Sequence, residues 1–320
     1  MRATEIIEKH KTHDILDSSK IQCYMDCPRK FFYKYVLGWT IDKPNIHLVF
    51  GEAWHRMMEH MLLTKLDKGY DEKEVVNAVK KFMAYYRDSF GTEYDDTFAP
   101  KNPEGAMLAI VDYVEAYKRD TFVVLHTEVH GYIPISTNRQ LAVRLDSIVE
   151  SEAGVSSVEH KTSKYQTKIW GEQWQLSVQI GAYNHALYCN FEEERVQGVT
   201  VSGTFFKKSG STFERVQVKR SPRSMVAWFD MVNDWYDSII TDMELLLSSN
   251  DSDATLNAFR MNPQSCNNFM RMCMYHDFCN AWSNPLQRCH KCPPGFIVER
   301  WNPADVSGGA TELVDGKIVK

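Results

Sequence analysis

Apolar positions along the chain change their period several times. Helical spacing runs over 19–37, through GEAWHRMMEHMLLTKLDKG at 51–69, closed by Gly69, and over 72–90 and 104–119. Pro28 interrupts the first of these, bending the helix or starting a new turn. From residue 121 the period shortens, and TFVVLHTEVHGYIPI, RQLAVRLDSIVE and VSSVEHKTS read as strands joined by short polar turns. Helix returns at about 169–188 in IWGEQWQLSVQIGAYNHALYC, two strands follow in VQGVTVSGTFFKK and FERVQVKR, and a long helix covers 223–248. The tail beyond is irregular, with Pro263, Pro285, Pro293 and Pro294 limiting regular structure. No clean linker, repeat or low-complexity tract divides the chain. The order predicts one intertwined α/β unit over 1–320, with a mainly helical part at 19–120, an α/β core at 121–222 and a helix with a cysteine-rich segment at 223–320.

The strongest chemical pattern lies in AVRLDSIVESEAGVSSVEHKTS, residues 142–163. A hairpin turning through Ser151, Glu152, Ala153 and Gly154 pairs Glu150 with Val155, and the same register sets Asp146 opposite Glu159. Glu159 and Lys161 are two apart and share a face with Asp146, while Leu145 and Val158 supply the opposite, apolar face. A slip of one residue destroys the arrangement. Two carboxylates and an amine on one face suit a hard divalent cation and phosphodiester hydrolysis; an ordinary surface ion-pair set is the alternative. Glu128, in LHTEVH, is a further carboxylate whose register the sequence leaves open.

Two helical pairs accompany the hairpin. Gln179 and Tyr183 are four apart on one helix face, either touching a phosphate or base or merely solvated and half-buried. Gly51 and His55 open a helix in which the glycine permits close approach; His55 is a site residue or a hydrogen-bonded core histidine.

Charge narrows the partners. With 37 basic and 42 acidic residues the net is −5, which excludes a wholly basic nucleic-acid coat and leaves a local groove. Candidates for it are Arg29, Lys30 and Lys34, then Lys161, Lys164 and Lys168, then Lys207, Lys208, Lys219 and Arg220; Phe31, Phe32, Tyr33 and Tyr35 either stack on bases or pack inside. No apolar run approaches the ~20 residues of a membrane span. The opening MRATEIIEKHKTHDI carries no apolar leader core, so a cytoplasmic site is expected, or an intracellular one in the host if the protein is viral. Eight cysteines, at 23, 27, 189, 266, 273, 279, 289 and 292, leave metal or iron–sulfur ligation, disulfides and free thiols open. Cys289 and Cys292, in CHKC, either bind zinc with Cys279 and His290 or another histidine, or stay free.

Taken in order, GEAWH, VRLDSIVE, VEHKTS and VQIGAY resemble the RecB-type nuclease domain of the PD-(D/E)XK superfamily. The resemblance covers roughly residues 19–282 and departs mildly at Val143-Arg144-Leu145-Asp146, where a glycine-rich form is common. It implies a restriction-endonuclease-like α/β fold with a mixed central sheet flanked by helices. It implies His55, Asp146 and Glu159 as ligands of Mg²⁺ or Mn²⁺, Lys161 as the catalytic lysine, and Gln179 with Tyr183 in support. SKIQCYMDCPRKFFYKY and the C-terminal cysteines are similar to the iron–sulfur subgroup, AddB-like and CRISPR adaptation exonuclease-like. That similarity implies a 4Fe–4S cluster on Cys27, Cys266, Cys273 and Cys279 closing a helical annex. Five residues separate Cys273 from Cys279 as in that subgroup, whereas the six between Cys266 and Cys273 exceed its commoner two.

The function so implied is a metal-dependent DNA exonuclease acting on single strands or free ends in recombination, repair or replication. No ATPase motif is visible, so a helicase or recombination protein is a separate partner. The alternatives are a catalytically silent DNA- or protein-binding component and a zinc-stabilised structural protein.

Overall fold

The computed structural model describes residue 5 and residues 14–65, 69–268, 271–303, 305 and 311–319. Most of the opening stretch considered as a leader therefore lies outside the described residues, as do 66–68, just before the expected helix stop at Gly69. The chain divides into two compact units, each assembled from separate stretches: Met1–Lys43, Pro134–Ala142 and Arg223–Ser307 form one, and Pro44–Ile133, Val143–Pro222 and Gly308–Lys320 the other.

The second unit is an α/β fold with a mixed central sheet flanked by helices. Its helices are α2 (Ile46–Leu63), α3 (Glu72–Ser89), α4 (Pro103–Ala116) and α5 (Val178–Asn190). Its strands are β2 (Val123–Ser136), β3 (Arg139–Ser151), β4 (Gly154–Ser163), β5 (Val196–Lys207), β6 (Gly210–Val218), β8 (Glu312–Val314) and β9 (Lys317–Val319). They join in the order β9-β8-β2-β3-β4-β5-β6. The β8–β2 and β4–β5 pairs are parallel, while the hairpins β3–β4, β5–β6 and β8–β9 are antiparallel. Residues 134–142, at the tip between β2 and β3, count with the first unit.

Local chemistry starts and stops these elements. Asn45, Asp71, Asn102 and Ser177 cap the four helices by accepting main-chain N–H bonds in the first turn. Gly131 in β2 adopts φ 143, and a Cβ there would lie 2.1 Å from the Leu313 carbonyl, so a glycine lets β8 pair at this point. One face of the sheet is sealed by Phe50, Trp54, Met57, Met58 and Met61 of α2 with Phe82 and Tyr86 of α3, Ile110 and Tyr113 of α4, and Phe206 of β5. Gly51 does not serve close approach as expected: a Cβ there would meet nothing within 4 Å.

In the first unit, α1 (Ser18–Asp26) ends at Cys27, whose backbone is extended, and a new helix starts with Pro28 in its first turn. That outcome follows from the ring, which fixes φ and removes a donor, and is tolerated only at a helix start. After it, β1 (Trp39–Ile41) pairs antiparallel with β7 (Phe296–Val298), and α6 spans Pro222–Ser248.

The iron–sulfur expectation is overturned here. Among the described residues no group of three or more His, Cys, Asp or Glu is arranged to hold a metal ion, so neither the 4Fe–4S cluster on Cys27, Cys266, Cys273 and Cys279 nor the annex it was to close is present. All eight cysteines are free thiols. Burial pushes the Cys279 thiol up to about 11, with Arg29 opposing and Cys27, Cys273 and Cys266 adding to the rise. Cys27 Sγ accepts the Asn262 N–H at 3.4 Å.

The distant ends of the unit are joined by other means. Arg29 is buried and donates from Nε to the Phe259 carbonyl at 2.8 Å and from Nη2 to that of Leu256 at 3.1 Å. Phe31 stacks on Phe259 with centroids 5.9 Å apart, and Tyr33 stacks on Tyr275 at 5.2 Å. Phe31, Phe32, Tyr33 and Tyr35 are all buried, so they pack the interior and do not offer faces to bases.

Candidate active site

The β3–β4 hairpin has the register its loop length predicts, with Glu150 opposite Val155 and Ser147 opposite Val158. One step further, Asp146 stands beside Glu159, and its Oδ2 accepts the main-chain N–H of His160 at 2.8 Å. Asp146 Oδ1 meets His55 Nδ1 of α2 at 2.9 Å. Lys161 Nζ donates to Glu159 Oε1 at 2.5 Å and to Gln179 Oε1 of α5 at 2.9 Å. Gln179 Nε2 in turn donates to the Tyr183 hydroxyl at 2.9 Å, and that hydroxyl donates to the Arg144 carbonyl on β3. The structure thus brings His55, Asp146, Glu159, Lys161, Gln179 and Tyr183 into one network drawn from α2, β3, β4 and α5.

Charge is strongly coupled in this network. Burial alone would raise the Asp146 carboxyl, but His55 and the His160 N–H outweigh it and hold the group well below the usual carboxylate range. Burial works in the opposite sense on His55, yet Asp146 prevails and raises its imidazole to about 9. Glu159 is shifted up, first by burial and then by the charge of Asp146, with Lys161 opposing. Its Oε2 is buried and has no hydrogen-bond partner among the described residues. Such an atom costs roughly 1–3 kcal/mol when left unpaired, so the site holds unused capacity to bind a donor or cation.

The expected three-ligand centre of Mg²⁺ or Mn²⁺ is corrected by the same geometry. Among the described residues no group of three or more His, Cys, Asp or Glu is arranged to hold a metal ion, so the three-ligand set is not found there, and His55 Nδ1 is engaged by Asp146. What the network offers a cation is two carboxylates, one with an unpaired oxygen.

Several participants were not readable beforehand. The His160 main chain positions Asp146, while its buried ring lies 6.4 Å from the His55 ring, and desolvation lowers its imidazole to about 3. Trp174 lies with its ring 5.6 Å from Lys161 Nζ. Glu128, the further carboxylate whose register the sequence left open, is buried, adopts φ 48, and pairs through Oε2 with Arg144 Nε at 2.6 Å. Burial and then Asp146 raise its carboxyl to about 7. Arg144 had a visible signal, since it lies two before Asp146 and so shares its strand face.

The basic candidates separate by exposure. Arg29 and Arg220 are buried, and Arg220 donates to the carbonyls of Gln175 and Ser177 at 2.9 Å each, so both serve the fold. Lys168, Lys208 and Lys219 are exposed, and Lys164 is bound to the carbonyls of Phe98 and Ala99. Among the described residues no helix is long and apolar enough to cross a membrane.

Comparison with known proteins agrees with this core. The model of the PD-(D/E)XK nuclease superfamily matches residues 18–280, and the chain belongs to that superfamily. No curated protein matches the sequence. A solved structure, that of SSO0001, aligns at 12% identity over 58% of this chain and 83% of its own with a TM-score of 0.27, too slight a likeness to carry an argument.

Proposed function

We propose that this chain is a divalent-metal-dependent deoxyribonuclease that hydrolyses phosphodiester bonds from free ends or in single strands. The observation that carries the reading is the unpaired, buried Oε2 of Glu159 beside Asp146, with Lys161 hydrogen-bonded to the same carboxylate. Asp146 and Glu159 would hold the cation, whose chemistry is to lower the pKa of a bound water and to neutralise charge on the phosphate. Lys161 is tied to Glu159 and Gln179, which orients its amine toward the water or phosphoryl oxygen. Gln179 and Tyr183 keep that amine in register with β3 by bonding onward to the Arg144 carbonyl. His55 secures the rotamer of Asp146 from the other side. Hydrolysis then needs attack of water on phosphorus, departure of the sugar oxygen and proton transfer to it, with no covalent enzyme intermediate.

Digestion of end-labelled single- and double-stranded DNA in Mg²⁺ or Mn²⁺, against EDTA, tests this. Cutting is expected only with metal and is expected to fall at least about 100-fold in Glu159→Gln and in Lys161→Ala, a loss of the size seen when a transition-state donor is removed. Undiminished cutting by either variant sinks the assignment. Binding of DNA without cutting under any condition moves the reading to a silent DNA-binding component.

A further inference from the structure

We infer that Arg144, held by Glu128, forms a binding site for a backbone phosphate of the nucleic-acid strand beside Asp146. The inference rests on the nuclease reading above and adds a substrate contact to it. Arg144 and Asp146 are two apart on β3 and share its face. The guanidinium is bound at one corner: Nε donates to Glu128 Oε2 at 2.6 Å, its only hydrogen bond among the described residues. Glu52 Oε1 lies 3.9 Å from Nη2, beyond hydrogen-bond reach, and accepts instead from Arg56 Nε at 3.2 Å. The Arg144 side chain remains 46% exposed, with Glu52 within ion-pair distance of Nη2 and no hydrogen bond from either Nη to a described residue.

An arginine needed only to neutralise a buried carboxylate has no reason to leave its Nη groups without such a bond. A guanidinium fixed at Nε presents parallel N–H groups with little rotamer entropy left to lose, the geometry that matches two oxygens of a phosphate. Glu128 is the positioning residue. It is buried and non-glycine at φ 48, a backbone state costing about 1 kcal/mol or more that persists only where surroundings impose it. The Arg144 carbonyl is fixed too, since it accepts the Tyr183 hydroxyl. Backbone and side chain of Arg144 are thus both immobilised next to Asp146, and a strand bound there would present one phosphate to Arg144 and its neighbour to the carboxylates and Lys161.

The test is fluorescence anisotropy of a labelled single-stranded oligonucleotide in EDTA, titrated across salt concentrations, with full-length wild type, Arg144→Lys, Arg144→Ala and Glu128→Gln. Arg144→Ala is expected to weaken binding roughly tenfold and to flatten the slope of log K against log salt by about 0.7, one phosphate contact on a single strand. Arg144→Lys is expected to keep the slope and bind a few-fold more weakly than wild type, because charge survives and the fork does not. Glu128→Gln removes a negative charge, which by simple electrostatics tightens DNA binding; the proposal expects weaker binding instead, because the charge-assisted bond that fixes Nε becomes a weaker neutral one. Unchanged affinity and slope in a folded Arg144→Ala, or in Arg144→Lys should the alanine variant fail to fold, overturns the site, as does tighter binding by Glu128→Gln. If those results come with metal-dependent cutting by wild type, the phosphate site alone fails. If wild type neither binds nor cuts, the nuclease reading fails with it.

Discussion

Asp146 Oδ2 accepts the main-chain N–H of His160 at 2.8 Å, so a side chain on one strand completes a hydrogen bond that the hairpin ladder leaves after Ser147 and Val158. This fixes the carboxylate against the strand bearing Glu159 and Lys161. Asn at this position retains an oxygen for His160 and nearly the same shape, but not the charge. Asp146→Asn is expected to unfold within about 1 kcal/mol of wild type or somewhat below it, and to cut DNA at least about 100-fold more slowly. Urea denaturation paired with single-turnover digestion checks both halves, and wild-type turnover would remove Asp146 from the chemistry.

Lys101 reports on the packing behind β4. It is buried, and its Nζ donates to Thr162 at the carbonyl (3.1 Å) and the hydroxyl (2.8 Å), next to Lys161. Burial, with a contribution from Lys164, lowers its amine to about 8 from 10.5. Between those values the unfolded chain binds the proton and the folded chain does not, so this group makes stability rise with pH across that window and holds it down below about 8. Urea midpoints of wild type and Lys101→Met from pH 7 to 10 test the sign. The difference between the two proteins should shift in favour of wild type as pH rises; a constant difference would show that Lys101 does not titrate there.

The first unit depends on Arg29 at the point where a metal cluster was expected. Its guanidinium serves the carbonyls of Phe259 and Leu256 from a fully packed position. Arg29→Met keeps much of the volume and leaves both carbonyls without this donor, at an expected cost of about 2–4 kcal/mol. Thermal and urea unfolding of the variant measure it; a loss below about 0.5 kcal/mol would assign the cohesion of the unit to the aromatic contacts alone.

Legibility in the sequence tracked the range of the interaction. Pro28 breaking the first helix, the capped helices and the β3–β4 register are local consequences of ring geometry, turn length and period, and each could be read from a few neighbouring residues. Asp146, Glu159 and Lys161 belong to that category because one hairpin relates them. The cysteines do not. Their spacing resembled a ligand set, but spacing says nothing of whether thiols meet in a ligating geometry, and among the described residues no group of three or more potential ligands is arranged to hold a metal ion.

By itself, then, the sequence determined the hairpin that carries two carboxylates and a lysine, along with the superfamily its ordered motifs resemble. Only the tertiary structure decided that His55 engages Asp146 across 91 positions, that Glu128 meets Arg144, and that Arg29 is structural. The physical reason is that period and turn chemistry act over one or two elements, whereas burial and the pairing of charges depend on which elements the whole fold brings together.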